Sequence, residues 1–156
     1  MPIQKLRDYL DENKIKYVVI SHSTAYTAQE TAQSAHVSGK EMAKTVMVKI
    51  DGKMAMVVLP ASTKIEMDLL KETTGADQVK LAGEAEFKSL FPDCEIGAMP
   101  PFGNLYRIPV YVATRLVEDD VIAFNAGNHR ELIKMKFTDF QRLVQPQLVD
   151  VAFATT

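Results

Sequence analysis

The sequence predicts an α+β fold built on a mixed or antiparallel, curled sheet. Three observations carry that expectation. Helix-period and strand-period segments are interspersed along all 156 residues, with no internal repeat and no low-complexity stretch. Asp51-Gly52 sits between two apolar runs, a signature of a two-residue hairpin, whose strands are antiparallel. Apolar content of 47% beside 24% charged residues is that of one globular domain with a real core. We expect that domain over residues 1–145, with a loose tail over 146–156.

The elements follow in order. Ile3, Leu6 and Leu10 fall on one helical stripe between Pro2 and Asn13. Residues 17–20, Tyr-Val-Val-Ile, read as a strand. Thr27-Ala28-Gln29-Glu30 is a capping box, because a Thr hydroxyl can accept the N–H three residues on; it opens a short helix to about Ala35. The hairpin strands run over 44–50 and 54–59. Pro60-Ala61-Ser62 is a break, and residues 66–74 read as a helix stopped by Gly75, with Ile65, Leu69 and Leu70 available for burial. Residues 84–91 form another short helix before Pro92. The 97–103 loop can be neither a central strand nor a helix interior, since Pro100 and Pro101 donate no N–H. Residues 109–112, 121–124 and 132–135 read as strands, and Thr138 caps a last helix to about Gln145.

The two-residue turn sets the hairpin register. Ile50 faces Lys53, Val48 faces Ala55, Val46 faces Val57 and Lys44 faces Leu59. Side chains alternate, so Lys44 shares a face with Val46, Val48, Ile50, Ala55, Val57 and Leu59. An ammonium on that apolar face is costly unless it reaches a cleft, a partner or an anion.

Composition excludes several classes. A net charge of −2 argues against bulk electrostatic gripping of long nucleic acid, though not against a local basic patch for one RNA end. No apolar run approaches the ~20 residues of a membrane span, and the N-terminus lacks the apolar core of a signal peptide. The single cysteine, Cys94, fits a reducing cytoplasm and reads as an inert thiol. His22, His36 and His129 lack metal-ligand spacing, so neither structural zinc nor a cofactor is expected. There is no Gly-x-Ser-x-Gly elbow, Walker loop or dinucleotide fingerprint, and no marked nucleophile.

Three places remain that can carry chemistry. Lys44 is either a solvated strand-end charge or a buried-side cation that binds phosphate or stabilises developing negative charge. In the 97–103 loop, Gly97 and Gly103 bracket Met99, Pro100, Pro101 and Phe102. That loop either holds backbone N–H groups and the Phe102 ring toward a ligand, or is a structural turn with Phe102 in the core. In the Gly127-Asn128-His129 turn, glycine allows close backbone approach and His129 could orient a hydroxyl or phosphate; the alternative is an ordinary surface turn. Lys64 and Arg107 could support an RNA backbone, but single basic residues are usually solvated.

Taken in order, these features resemble the YbaK-type family of aminoacyl-tRNA deacylases, the prolyl-tRNA-synthetase-associated domain. The resemblance spans roughly residues 3–144. It rests on the N-terminal helix, the stretch from His22 to the Thr27-x-x-Glu30 cap, Ala43-Lys44-Thr45-Val46, the Pro100-Pro101-Phe102-Gly103 loop and the Ala126-Gly127-x-His129 turn. It implies a compact domain around a mostly antiparallel, barrel-like sheet with flanking helices. It also implies hydrolysis of the ester of mischarged tRNA, by members that are either free-standing or domains of prolyl-tRNA synthetase; with no synthetase modules in the sequence, we expect a free-standing protein acting in trans, by default a monomer. A synthetase is a possible partner.

By the same resemblance, Lys44 anchors the tRNA terminus, and the turns at Gly97 and Gly127–His129 orient the aminoacyl carbonyl or its oxyanion. A positioned water attacks with help from the terminal ribose. Thr45, Met99, Pro100, Pro101, Phe102, Gly103 and Asn128 then belong to the substrate side. Thr45 stands where some alanine-selective relatives place asparagine. Cysteine, alanine, serine and threonine all stay open as the rejected amino acid. The alternative is a non-catalytic module of the same fold that binds tRNA or a synthetase.

Overall fold

The computed structural model of the chain describes residues 2–154. It contains α1 (Gln4–Glu12), β1 (Tyr17–Ser21), α2 (Ala28–Ser34), β2 (Ala43–Ile50), β3 (Lys53–Pro60), β4 (Thr63–Ile65), α3 (Met67–Thr74), β5 (Val79–Leu81), α4 (Glu84–Phe87), β6 (Val110–Ala113), β7 (Val121–Asn125), β8 (Glu131–Lys136), α5 (Phe137–Val144), β9 (Gln147–Val149) and β10 (Ala152–Ala154).

The hairpin forms in the expected register, with Lys44 opposite Leu59 and Ile50 opposite Lys53. It is the centre of a five-stranded sheet in the order β5-β2-β3-β6-β9. A three-stranded sheet, β1-β8-β7, and a β10-β4 ladder complete the strands. Among the described strands, β3–β6 and β6–β9 pair in parallel and the other ladders are antiparallel, so the fold is mixed and mostly antiparallel. The sheets stay open and do not close into a barrel. A bridge between Met42 and Ala123 ties the start of β2 to β7.

Burial on both faces of the hairpin follows from the alternation. Met47, Met56 and Val58 join Leu6, Leu10, Phe102, Phe124, Ile133 and Phe140 in the main core. The Lys44 face sends Val48, Ala55, Val57 and Leu59 against Leu70 of α3 and Val149. A third cluster packs Ala32 of α2 on Met42, Ala61, Ala123 and Leu132. Leu70 is fully buried, whereas Leu69, also expected inside, is exposed.

Two local expectations fail. Lys136, without a side-chain hydrogen bond, caps α5, because the helix starts directly off the end of β8 and leaves Thr138 inside its first turn. The tail is not loose through residue 154. β9 pairs with β6, β10 pairs with β4, and Val149, Val151 and Ala152 are buried. Three-residue strands are too short to show a period. Thr155 and Thr156, the end of the expected tail, lie outside the described residues.

Candidate active site

Lys44 is the second residue of β2, at the end of the hairpin far from its turn. Its side chain is half-buried and lines an open cleft of about 500 Å³ with Thr27, Ala28, Gln29, Ala61, Thr63 and Lys64. Burial holds its pKa below the ordinary lysine value, and the Lys64 charge lowers it further. Among the described residues no carboxylate comes within ion-pair distance of Lys44 or Lys64. Thr45 does not share the cleft. It follows Lys44 in the strand, pairs with Val58 and faces the other way.

The two glycine turns meet each other. The Gly127 N–H donates to the Ala98 carbonyl (3.0 Å), and the Glu95 N–H donates to the Gly127 carbonyl (2.8 Å). Gly97 has φ +85°, and a Cβ there would touch His129 Cε1 at 3.5 Å. Gly127 has φ +101°, and a Cβ there would run into the Ile3 side chain. Only glycine takes these backbone conformations readily. The close approach of the two turns therefore requires both residues.

His129 sits at the junction and is buried. Its backbone N–H donates to Glu95 Oε1 (2.9 Å), and its Nε2 lies 2.7 Å from the Ile96 carbonyl oxygen. A carbonyl only accepts, so Nε2 carries the proton and Nδ1 keeps its lone pair. Nδ1 is buried with no hydrogen-bond partner among the described residues. The Tyr26 ring stands 4.9 Å from the imidazole at a 52° tilt and is itself 72% exposed. Thr27, the next residue, lines the lysine cleft and accepts the Glu30 N–H at the start of α2. The segment before α2 thus joins the Lys44 cleft to the His129 junction.

Several expected substrate contacts belong to the scaffold. Phe102 is wholly buried against the rings of Tyr9, Phe124 and Phe140, so it offers no face to a base. Met99 is buried in the same core, and Pro100 and Pro101 are buried with it. Gly103 is required by packing, since a Cβ would come within 2.5 Å of the Ile108 carbonyl oxygen. Asn128 organises the turn, donating to Glu131 Oε1 (3.1 Å) and accepting the Arg130 N–H (2.9 Å). The N–H groups of Gly127 and His129 are spent on Ala98 and Glu95, so neither is an oxyanion donor. The Gly97 N–H makes no hydrogen bond among the described residues.

Sequence reasoning missed Tyr26 and Glu95. Tyr26 is an aromatic residue in a Ser/Thr-rich loop just before a helix cap, which was a usable signal. Glu95 carries no sequence signal, because its role depends on a contact across 34 residues. Burial pushes the Cys94 thiol up to about 11, as expected of an unreactive cysteine. Among the described residues, no group of three or more His, Cys, Asp or Glu side chains could hold a metal ion, and no helix is long and apolar enough to cross a membrane.

Residues 22–143 match the family model of the aminoacyl-tRNA editing domain. The multifunctional Ser/Thr-tRNA deacylase ProXp-y of Escherichia coli (strain K12) is 26% identical over 152 residues, covering 94% of this chain and 90% of that protein. The prolyl-tRNA editing protein ProX of Acetoanaerobium sticklandii is 24% identical over 143 residues, covering 87% and 86%. A solved structure described as a candidate trans-editing enzyme for prolyl tRNA synthetase has a TM-score of 0.81 at 19% identity, covering 97% of this chain and 96% of that one. Tyr26, Lys44, Gly97, Gly127 and His129 all fall inside the matched span, and the chain belongs to the aminoacyl-tRNA editing domain family.

Proposed function

We propose that the chain is a trans-acting deacylase that hydrolyses the ester of mischarged aminoacyl-tRNA. The observation that carries this reading is the half-buried, unmatched Lys44, open to a cleft that adjoins the His129 junction. An anion is the natural partner for such a cation, and the acceptor end of a tRNA supplies phosphates beside the ester. The names of the E. coli and A. sticklandii relatives point to the same reaction.

In this reading Lys44 holds the acceptor end. The Gly97 N–H faces the ester carbonyl, and the buried His129 Nδ1, reached when the exposed Tyr26 ring moves off the imidazole, orients the attacking water or a polar group of the substrate. Water oxygen bonds to the carbonyl carbon. The ester C–O bond then breaks, and the ribose oxygen takes up a proton, with the neighbouring ribose hydroxyl assisting. The products are a free amino acid and an uncharged tRNA. An aminoacyl ester is already activated, so positioning and electrostatic stabilisation suffice without a covalent enzyme intermediate.

A second sieve is valuable where a synthetase cannot separate amino acids that differ by one methyl or hydroxyl. Serine and threonine lead as substrates because the E. coli relative is named for them. Alanine and cysteine belong in the same test. A prolyl-tRNA synthetase is the partner suggested by the solved relative's description.

The test is a deacylation panel on seryl-, threonyl-, alanyl- and cysteinyl-tRNA, comparing wild type with Lys44→Ala. The expected result is ester release well above the spontaneous rate with at least one substrate, lost in Lys44→Ala. No release from any substrate would reject the hydrolase. Undiminished release by Lys44→Ala would keep the hydrolase and remove the lysine from its site.

A further inference from the structure

We propose that Lys64 is a second phosphate contact for the acceptor end, and that Lys44 and Lys64 form a two-lysine clamp on the RNA backbone. The inference rests on the reading of this cleft as the seat of the aminoacyl-tRNA end. Lys64 sits in the middle of β4. Thr63 on one side is buried, with its hydroxyl donating to the Pro60 carbonyl (2.7 Å). Ile65 on the other side packs on the α3-side core. Pairing with β10, Ala152 opposite Ile65 and Ala154 opposite Thr63, pins the backbone. The strand alternation then leaves the Lys64 side chain as the exposed member of β4. Lys64 and Lys44 line the same cleft, facing Thr27, Ala28 and Gln29.

Among the described residues no carboxylate lies within ion-pair distance of the pair, and this is the second part of the case. Three other lysines of this chain meet carboxylates. Lys40 lies 3.9 Å from Asp119, Lys134 lies 4.0 Å from Glu41, and Lys49 pairs with Glu86. Lys44 and Lys64 have no such partner among the described residues, although they are close enough for one charge to depress the other's pKa. Two unmatched cations repel each other in a chain whose net charge is −2. An anion seated between them turns that repulsion into attraction. Ammonium groups bind a phosphodiester as point charges and need no planar geometry, which suits a single-stranded terminus whose exact path can vary.

The test uses wild type, Lys64→Ala, Lys64→Arg and, as a control for charge alone, Lys53→Ala at the exposed hairpin turn. Binding of an uncharged CCA-ended RNA microhelix is measured across a salt series, and steady-state deacylation is measured beside it. Lys64→Ala should weaken RNA binding about tenfold and flatten the slope of log K against log salt by about 0.7, the value of one single-strand phosphate. The deacylation KM should rise by a similar factor while kcat stays within about twofold, and Lys64→Arg should recover most of the loss. Lys64→Ala indistinguishable from Lys53→Ala in slope and affinity would overturn the clamp. A protein that binds RNA with the Lys64-dependent slope yet hydrolyses no ester would keep the clamp and sink the deacylase reading. A wild type that binds no RNA would sink both.

Discussion

Gly127→Ala probes the joint on which the candidate site depends, and its cost separates into two parts. The backbone stands at φ +101°, where a side chain is strained, and holding a non-glycine residue in such a region costs about 1–3 kcal/mol. The new Cβ would also run into the Ile3 side chain, with Ile3 Cβ and Cγ1 each 3.3 Å away. Ile3 cannot simply withdraw, because its own N–H donates to the Ala126 carbonyl at 3.1 Å. Overpacking of this kind costs about 1–3 kcal/mol more. The combined loss of about 2–6 kcal/mol should lower the urea midpoint by roughly 1–3 M at an m-value of about 2 kcal/mol/M. Ile3→Ala supplies the control. In that background the overlap is relieved, and adding Gly127→Ala should cost only the backbone part, about 1–3 kcal/mol. A Gly127→Ala protein within about 0.5 kcal/mol of wild type would refute both parts, since that is the range of a neutral surface change. An equal cost in both backgrounds would refute the overlap with Ile3.

Phe102→Ala should behave as a core deletion, losing about 3–5 kcal/mol in urea unfolding, because the ring is fully buried among three other rings. A normal unfolding midpoint combined with a raised KM would instead mark Phe102 as a substrate platform. Lys44→Met should stabilise the protein at neutral pH while raising the deacylation KM, since it removes a desolvated ammonium that Lys64 repels. The folded-state pKa of Lys44 lies below 10.5, so between that lowered value and 10.5 the unfolded chain holds more protons than the folded one. Wild-type stability contributed by this group therefore rises with pH through that window, and the advantage of Lys44→Met should shrink toward pH 10.5. Urea midpoints taken from pH 7 to 10.5 check this, and an advantage that widens with pH would contradict it.

What was legible in the sequence depended on range. The hairpin register followed from two turn residues and a period of two, and it placed Lys44 opposite Leu59 as the structure has it. The Thr27 cap and the Gly75 helix stop were equally local and equally readable. The parallel joins of β6 to β3 and of β9 to β6 were not readable, because the partners are far apart in sequence and the strands are short. Both glycine turns stand out in the sequence, which leaves open whether they serve a ligand or the scaffold. Glycine permits a close approach, and sequence cannot say whether a ligand or another part of the chain makes it. Here the approach at Gly127 is to Ile3, and the one at Gly97 is to His129. The N–H groups expected to face an oxyanion are largely consumed in holding the two turns together.

The engaged N–H groups narrow the chemistry. With the Gly127 and His129 N–H groups engaged, electrophilic assistance from the turns falls to Gly97, which lies against the imidazole. The histidine in turn is held by Ile96 at one nitrogen, while the other is buried and makes no hydrogen bond among the described residues. The site therefore offers one backbone donor, one imidazole acceptor, one exposed aromatic ring and two lysines, all reached from the loop ahead of α2. On the proposed reading this set holds a charged RNA end and orients a water, with neither the imidazole nor the lysines attacking the ester. If rate enhancement comes from placement, as proposed, truncating an anchoring residue should cost KM, while disturbing the Gly97–His129 contact should cost kcat.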